Sequence, residues 1–463
     1  MGKKTPTTTR SVAARSANGE SYQAKRFVPL NQAFHSTGQE KTARLYYGRS
    51  GDHPGVHQFL RANLHGPSAA EFQASLDEPL YEPSDRLLLK RQGRVLAHVH
   101  LTKRSILFGQ TRLPAAGIAH LATAPECRRQ GFATGLLDAA ESQMVEDGAV
   151  IATVRTDMPD FFARSGYQIV DQSESSQASP RDILAHIPKE PPRLLERPRD
   201  PLNIRLWRRF ELPALVRLYR QNLGEAVGPI YRNDAYWRWL VSRGAFERIY
   251  VAIDGVDRMD LDEKTSPIVG YAVTCGDRIV ELMASPGHPT AAVELLARVA
   301  SDGIEQDHLQ IRLHAPPNSP LHELMITAGG SFEAPTSEPQ QVVMAKLLGR
   351  PVELFNAVSE ELHQRCKGAG LQRPCELTLG VDDSTCRLTL TRRSVKATPD
   401  DDADPRVDLS TELLTRLVAG GQSASQLLAA SQAVANSAEA TEIFSALFPT
   451  APIWRSPWDD LQA

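Results

Sequence analysis

Cysteine is scarce. The 463 residues hold five, Cys127, Cys275, Cys366, Cys375 and Cys386. The number is odd, the spacing is wide, and no Cys-x-x-Cys occurs. Neither a disulfide framework nor a zinc site is therefore expected. No apolar run approaches the roughly 18–20 residues that a membrane span needs. The basic N-terminus lacks the apolar core of a secretory signal. A surplus of one charge is missing too, since the formal net charge is −3. No global field selects nucleic acid or an anionic membrane surface. The expectation is a cytoplasmic chain with no metal, no nucleic-acid partner and no membrane span.

The hydrophobic share of 41% and charged share of 23% are those of a globular protein. At roughly 100–200 residues per domain the length predicts two to four domains. Residues 1–42 read as a disordered basic tail, rich in Thr, Ser, Ala and Gln. A first domain is expected over 43–186 and a proline-rich linker over 187–202. A second domain over 203–349 and a third over 350–463 complete the chain.

In the first domain, Ala43–Arg49 reads as a strand, with short helices near Pro54–Leu64 and Ser68–Leu76. Strands Arg86–Lys90 and Val95–Leu101 flank the turn Arg91-Gln-Gly-Arg94. Strand Ala116–Thr123 leads to a helix over Gly131–Glu146, with Phe132, Leu136, Leu137, Ala140, Met144 and Val145 on one stripe. Ala149–Val154, a helix at Pro159–Arg164 and Tyr167–Val170 follow, with one more strand in Asp182–His186. The order of strand, proline, helix, glycine and strand recurs at 278–330, which points to two copies of one fold. In the third domain, Val381-Asp-Asp-Ser384 reads as a hairpin. Ser410 and Asn436 read as helix N-caps.

The chemistry concentrates at Pro125-Glu-Cys-Arg-Arg-Gln-Gly-Phe-Ala-Thr134. Arg128-x-x-Gly131-x-Ala133 lies between an apolar strand and an amphipathic helix. Free N–H groups at a helix N-terminus favour negative charge, so this context fits a pyrophosphate cradle. Gly131 lets the backbone approach phosphate oxygens, and Arg128 and Arg129 can add charge-assisted contacts. The other reading is an ordinary strand-to-helix turn with surface arginines.

Here the chain resembles the GNAT acetyltransferases, on Gly117–Leu137 and on Asp160-Phe-Phe-Ala-Arg-Ser-Gly-Tyr167. The whole layout is similar to the Eis family: an α/β (α+β) chain of two tandem GNAT-like mixed-sheet domains followed by a sterol-carrier-like α+β domain. The last part rests on Val418-Ala-Gly-Gly421, Leu447-Phe-Pro449 and Pro457-Trp-Asp459. The resemblance implies acetyl-CoA as co-substrate and an amine as acceptor. It also implies a homo-oligomer. Leu121, Ala122 and Thr123 would hold the pantetheine arm by backbone hydrogen bonds. Arg128, Arg129, Gln130, Gly131, Phe132, Ala133 and Thr134 would hold the pyrophosphate. The second domain carries Ser285-Pro-Gly-His-Pro-Thr-Ala291 in place of the loop, so no cofactor is expected there.

Acetyl transfer needs a proton taken from the amine and a thiolate stabilised on leaving. The family's tyrosine acid falls on Phe162 here, which has no proton to give. Tyr167, five residues on, reads as acid or as core packing. The family's terminal-carboxylate base would fall on Ala463. His120, just before Leu121, is the candidate catalytic base, with His98 and His100 on one face of the neighbouring strand. Each histidine also reads as a buried structural residue. Asp157 and Asp160 are acceptor contacts or helix caps. A non-catalytic CoA- or lipid-binding scaffold is the alternative to an enzyme.

Overall fold

The structure, a computed structural model, describes residues 43–171, 175–187, 201–223, 226–260, 264–316, 319–333, 342–399, 403–451 and 454–460. The expected tail at 1–42, most of the linker and the terminal Ala463 lie outside the described residues. The chain enters on strand β1 (Arg44–Tyr47), then helices α1 (His53–Leu64) and α2 (Ala69–Leu76). Ser68 caps α2, its Oγ accepting from Glu71 N–H while the Glu71 carboxylate takes the Ser68 N–H. Strands β2 (Arg86–Arg91) and β3 (Arg94–Phe108) follow. Gln92 and Gly93 between them have φ of 50° and 79°, the two left-handed residues of a type I′ turn.

Strand β4 (Thr111–Thr123) returns along β3. Both strands run further than the apolar pattern predicts, because Ile106, Phe108 and Leu113 pack into the core of the third unit. Helix α3 (Phe132–Glu146) leads to β5 (Ile151–Thr156), α4 (Pro159–Ala163) and β6 (Gln168–Asp171). Phe132, Leu136, Leu137, Ala140 and Met144 are all buried against the sheet. At about 1.5–3 kcal/mol for each large apolar side chain, this face fixes α3 and the loop ahead of it.

Strand β7 (Ser175–Ala178) and helix α5 (Pro180–His186) come next. The strand expected at Asp182–His186 is thus a helix. Pro180 sits in its first turn and Ile183 is its buried apolar anchor. Strand β8 (Asn203–Leu206), helix α6 (Leu212–Leu223), strand β9 (Val227–Ile230) and helix α7 (Asp234–Ser242) open the second unit. Then come β10 (Arg248–Ile253), β11 (Ile268–Cys275), β12 (Arg278–Ala284), helix α8 (Thr290–Glu305), β13 (Ile311–Leu313), β14 (Ser331–Glu333) and β15 (Val342–Leu347).

The first sheet has the order β1-β2-β3-β4-β5-β15-β6, with β9 also on β3, and the second the order β14-β7-β13-β12-β11-β10-β8. Each holds one parallel pair, β4 with β5 and β12 with β13, joined by a helix. The two halves exchange a strand reciprocally. The first half lends β7 to the second sheet, between β13 and β14, and the second lends β15 to the first, between β5 and β6.

The third unit is a five-stranded sheet with helices packed on it, including Thr411–Val418, Ala424–Ala429 and Ala438–Leu447. Ser410 caps its helix as expected, accepting from Leu413 N–H. The cap expected at Asn436 is Ser437, which accepts from Ala440 N–H. Asn436 instead takes the Arg406 N–H at 2.9 Å, tying two strand ends together.

The chain then leaves this unit and crosses to the second. Trp454 and Trp458 are buried in the second unit's core. Trp458 packs edge-on against Trp237, with centroids 5.9 Å apart. Beside them the buried Arg232 meets Asp459 (Nε to Oδ1, 2.9 Å; Nη2 to Oδ2, 2.9 Å). It also meets Glu281 (Nη1 to Oε1, 2.9 Å; Nη2 to Oε2, 2.6 Å). Tyr271 donates to the same Glu281 at 2.6 Å.

Two outcomes are expected. Asp459→Ala leaves Arg232 short of a counter-charge and lowers stability by about 3–5 kcal/mol in chemical denaturation. An unchanged midpoint contradicts this account of the network. A fragment of residues 43–171 lacks β15, which separates β5 from β6, and is expected to show no cooperative unfolding transition by circular dichroism. A cooperative transition from that fragment argues against the strand exchange.

Candidate active site

The site begins where two parallel strands part. β4 pairs with β5 from Ala115 with Ile151 to Ile118 with Val154, and there the pairing ends. β4 continues on β3, with Ala119 opposite His100 and Ala122 opposite His98. The register shift places a bulge at His120 and Leu121 opposite Val99, and His120 has φ of 51°. The edge of Ala119–Thr123 that faces β5 therefore has no strand partner. Thr123 also holds a buried Oγ1 with no hydrogen-bond partner.

The His120 carbonyl is fixed from below. His98 Nδ1 lies 2.8 Å from it, and Arg86 Nη1 lies 3.3 Å from His98 Nε2. Arginine only donates, so His98 Nε2 accepts and Nδ1 carries the hydrogen that it donates to His120. Arg86 is wholly buried, and its other hydrogen bonds go to Tyr81 Oη at 3.0 Å and Ser75 Oγ at 2.7 Å.

The open edge runs into the loop at 125–131. Pro125–Cys127 forms a 3-10 turn, and Arg129 and Gly131 adopt φ of 59° and 79°. Cys127 and Phe132 are buried anchors of the loop. Burial pushes the Cys127 thiol up, with Glu126 adding to it, so it is no nucleophile. Arg128, Arg129, Gln130, Gly131 and Thr134 are exposed, while Leu121, Thr123 and Ala133 are half-buried and Ala122 is buried. A Cβ on Gly131 would meet nothing within 4 Å, so the loop faces open space on that side. The first turn of α3 carries no acidic residue. The positive end of the helix dipole there favours an anion.

On the other side of the gap, one face of the first sheet is polar. His98, His100, Thr102 and Arg104 alternate along β3, while Val99 and Leu101 face the α3 core. Thr153 and Arg155 do the same on β5. A cleft of about 240 Å³ opens here, bounded by Gly117, Ile118, Ala119 and His120. A Cβ at Gly117 would stand 2.3 Å from Thr102 Oγ1, so only glycine leaves this wall clear. Trp239 and Arg243 close the cleft from the second unit, and Arg455, Asp459 and Asp460 from the end of the chain. A larger open depression beside Asp77, Arg209 and Arg238 shares only Trp239 with the cleft and lies away from the parted strands.

The electrostatics are uneven. Burial, reinforced by Arg86, lowers the pKa of His98 and His100 well below the usual histidine range and that of His120 to about 4. All three are neutral at neutral pH. His100 and His120 stack with centroids 6.3 Å apart. Burial alone would raise the Asp460 carboxyl. Arg455 at 2.6 Å, Arg155 at 3.0 Å and Arg104 at 3.6 Å outweigh it and hold the group well below the carboxylate range.

The structure separates the other candidates from the cleft. Phe162 and Tyr167 lie in the α3 core, 2% and 1% exposed, with rings edge-on at 5.4 Å. Burial and Glu141 push the Tyr167 phenol up, and its ring is packing. Asp157 and Asp160 are exposed and outside the cleft lining. Arg104, Arg155, Arg243, Arg455, Asp459 and Asp460 were not singled out from the sequence. The polar alternation through Arg104 and Arg155 carried a signal for two of them. The rest arrive from distant segments.

Residues 47–170 match the family model described as Acetyltransferase (GNAT) domain. No curated protein matches the chain. Among solved structures, it is similar to a GCN5-related N-acetyltransferase from Kribbella flavida (18% identity, 90% of this chain and 98% of that one, TM-score 0.65). It is also similar to a GCN5-related N-acetyltransferase from Anabaena variabilis (15%, 89% and 99%, TM-score 0.66). Eis1 from Mycobacterium abscessus aligns at 17% identity over 88% of this chain and 97% of that one, with a TM-score of 0.56. The chain thus carries a GNAT acetyltransferase domain at residues 47–170, within an overall fold shared with these acetyltransferase structures.

Proposed function

We propose that this protein is an acetyl-CoA-dependent N-acetyltransferase that passes an acetyl group directly to an amine. The observation that carries the reading is the parting of β4 and β5 at Ile118. It leaves one free backbone edge that leads from the exposed loop into the cleft beside His120. The residues fit the co-substrate: Leu121, Ala122 and Thr123 offer edge groups to an amide-bearing arm. Arg128, Arg129, Gln130, Gly131, Phe132, Ala133 and Thr134 form the loop and helix start that would receive a diphosphate, Arg128 through its guanidinium, since its backbone N–H donates to the Pro125 carbonyl. Acetyl-CoA, when bound, supplies the activated acyl group.

His120 is the proposed proton acceptor. It lines the cleft and is neutral, so it can take a proton. With a pKa of about 4 it is too weak to strip a free ammonium. The amine must enter uncharged, and His120 takes the N–H proton once the nitrogen lone pair is committed to the new C–N bond; as the C–S bond breaks, His120 passes that proton to the leaving thiolate and returns to its neutral form. The unit beyond residue 350 is read as a sterol-carrier-like scaffold whose contribution to the cleft is Arg455, Asp459 and Asp460. A cytoplasmic homo-oligomer remains part of the proposal. No helix among the described residues is long and apolar enough to cross a membrane.

Gly131→Glu puts a carboxylate into the phosphate-facing loop and is expected to abolish acetyl-CoA binding in calorimetry, with the circular dichroism spectrum retained. Thiol release with an amine panel should vanish with it. Binding without any thiol release would support a non-catalytic scaffold, and no binding by the unaltered chain would sink both readings.

The pH profile tests His120. Its pKa is about 4 against an ordinary 6.5, so kcat/KM should show no step near pH 6.5. The acid limb should follow the amine's own pKa. His120→Phe should lower kcat by about 100-fold. Between pH 4 and 6.5 the unfolded chain binds a proton that folded His120 refuses, so stability rises with pH across that window and levels off above it. His98 and His100 act in the same direction. A thermal midpoint flat from pH 4.5 to 6.5 would contradict the depressed values.

A further inference from the structure

We infer that Arg86 and His98 are positioning residues of the transfer step: they polarise the peptide group between His120 and Leu121, so that its N–H stabilises the oxyanion formed on the thioester. This rests on the acetyltransferase reading above and concerns its transition state. Arg86 has no exposed surface. Its hydrogen bonds go to Tyr81 Oη at 3.0 Å, Ser75 Oγ at 2.7 Å and His98 Nε2 at 3.3 Å. Its guanidinium carbon lies 4.7 and 5.4 Å from the ring centres of Phe72 and Tyr81. Among the described residues no carboxylate pairs with it. The two whose fields reach it are committed elsewhere, Glu78 to Arg104 at 3.2 Å and Asp85 to Lys103 at 2.8 Å. Tyr81 Oη accepts from Arg86, so its own hydrogen turns to His53 Nε2 at 2.9 Å. Burial pushes the Tyr81 phenol up, so it supplies no counter-charge. A buried cation of this kind costs stability, and an apolar side chain of its size would serve folding better. The charge therefore works elsewhere than in folding.

The hydrogen bonds show where it leads. His98 accepts from Arg86 at Nε2 and donates from Nδ1 to the His120 carbonyl at 2.8 Å. Hydrogen bonds in such a chain strengthen one another in a low-dielectric surrounding. The chain ends on the peptide group that joins His120 to Leu121. Polarising its carbonyl draws electrons from the amide nitrogen and makes the Leu121 N–H a better donor. The peptide is trans, so this N–H points away from the carbonyl that His98 holds. The register gives neither bulge residue a partner on β3, and β5 has already parted at Ile118. That leaves the Leu121 N–H as the edge donor beside His120. As the amine forms its C–N bond, the carbonyl π pair moves onto the thioester oxygen. It returns as the C–S bond breaks and the bonding pair leaves with sulfur. A donor strengthened towards that transient oxyanion lowers the barrier more than it tightens binding. Arg86 acts through two other groups and does not touch the substrate.

The test measures thiol release, calorimetric acetyl-CoA binding and urea unfolding for full-length Arg86→Met, Arg86→Lys and His98→Asn. Arg86→Met keeps the volume and removes the charge. Its kcat should fall at least about 10-fold, its acetyl-CoA Kd should stay within about 2-fold, and its unfolding midpoint should be equal or higher. Arg86→Lys, which keeps the charge, should recover most of the rate. His98→Asn can still donate to the His120 carbonyl but lacks the atom that meets Arg86, so it should lose kcat as Arg86→Met does. The infrared band of the bound, carbon-13-labelled acetyl carbonyl reads the polarisation without turnover, and it should move to higher wavenumber in Arg86→Met. An unchanged kcat or an unmoved band overturns the inference. A loss of kcat matched by a loss of stability marks Arg86 as structural and overturns it too. Should Arg86→Met not fold, His98→Asn decides: a lower kcat with intact affinity supports the inference, and an unchanged kcat overturns it. If the unaltered chain binds acetyl-CoA but acetylates no amine, the transferase reading fails separately, and the infrared comparison still decides.

Discussion

The buried guanidinium of Arg232 is the joint on which the site depends. A charge with no access to water needs counter-charges in place, and its two carboxylates come from separate parts of the chain, Glu281 on β12 and Asp459 near the end. Arg232 is fully answered only when the last segment has docked. Tyr219, Trp237 and Trp458 wall it in, with the guanidinium carbon 4.1, 4.7 and 5.3 Å from their ring centres. Docking then places the neighbouring Asp460 against Arg104 and Arg155 of the first unit. One short segment therefore couples all three units. The cleft wall it supplies exists only in the assembled chain.

The parted strands are the second constraint. A bulge adds one residue to β4 at the point where β5 leaves, and the His98 imidazole holds the bulged carbonyl. That hydrogen bond needs one tautomer of His98, and the donor Arg86 selects it. The same arginine helps keep three histidines neutral. The arrangement joins shape to charge: the residues that shape the open edge also set the protonation state of the group nearest to it.

The consequence for chemistry is a site with little proton-donating capacity of the expected kind. The phenol of Tyr167 is in the core, and Phe162 beside it has none. The cleft is lined instead by four guanidiniums and four carboxylates. A site of this sort acts by orientation and electrostatics more than by strong acid–base groups.

The loop at 125–134, helix α3, the hairpin turns and the Ser410 cap were legible in the sequence, because each is decided by neighbours a few residues apart. Apolar spacing, a left-handed glycine and a capping hydroxyl act locally. Helix α7 escaped notice, since its aromatic run Tyr236, Trp237 and Trp239 does not distinguish helix from strand without knowing what it packs on. The helix at Pro180–His186 and the cap at Ser437 were misread for similar reasons, where two local choices differ little in energy. The sequence by itself determined the loop, its strand and its helix. Only the tertiary structure decided that β7 and β15 change places and that Arg243 and Asp460 close the same cleft. Strand pairing and buried ion pairs join residues up to some hundreds of positions apart, and nothing in local spacing records which partner burial will select.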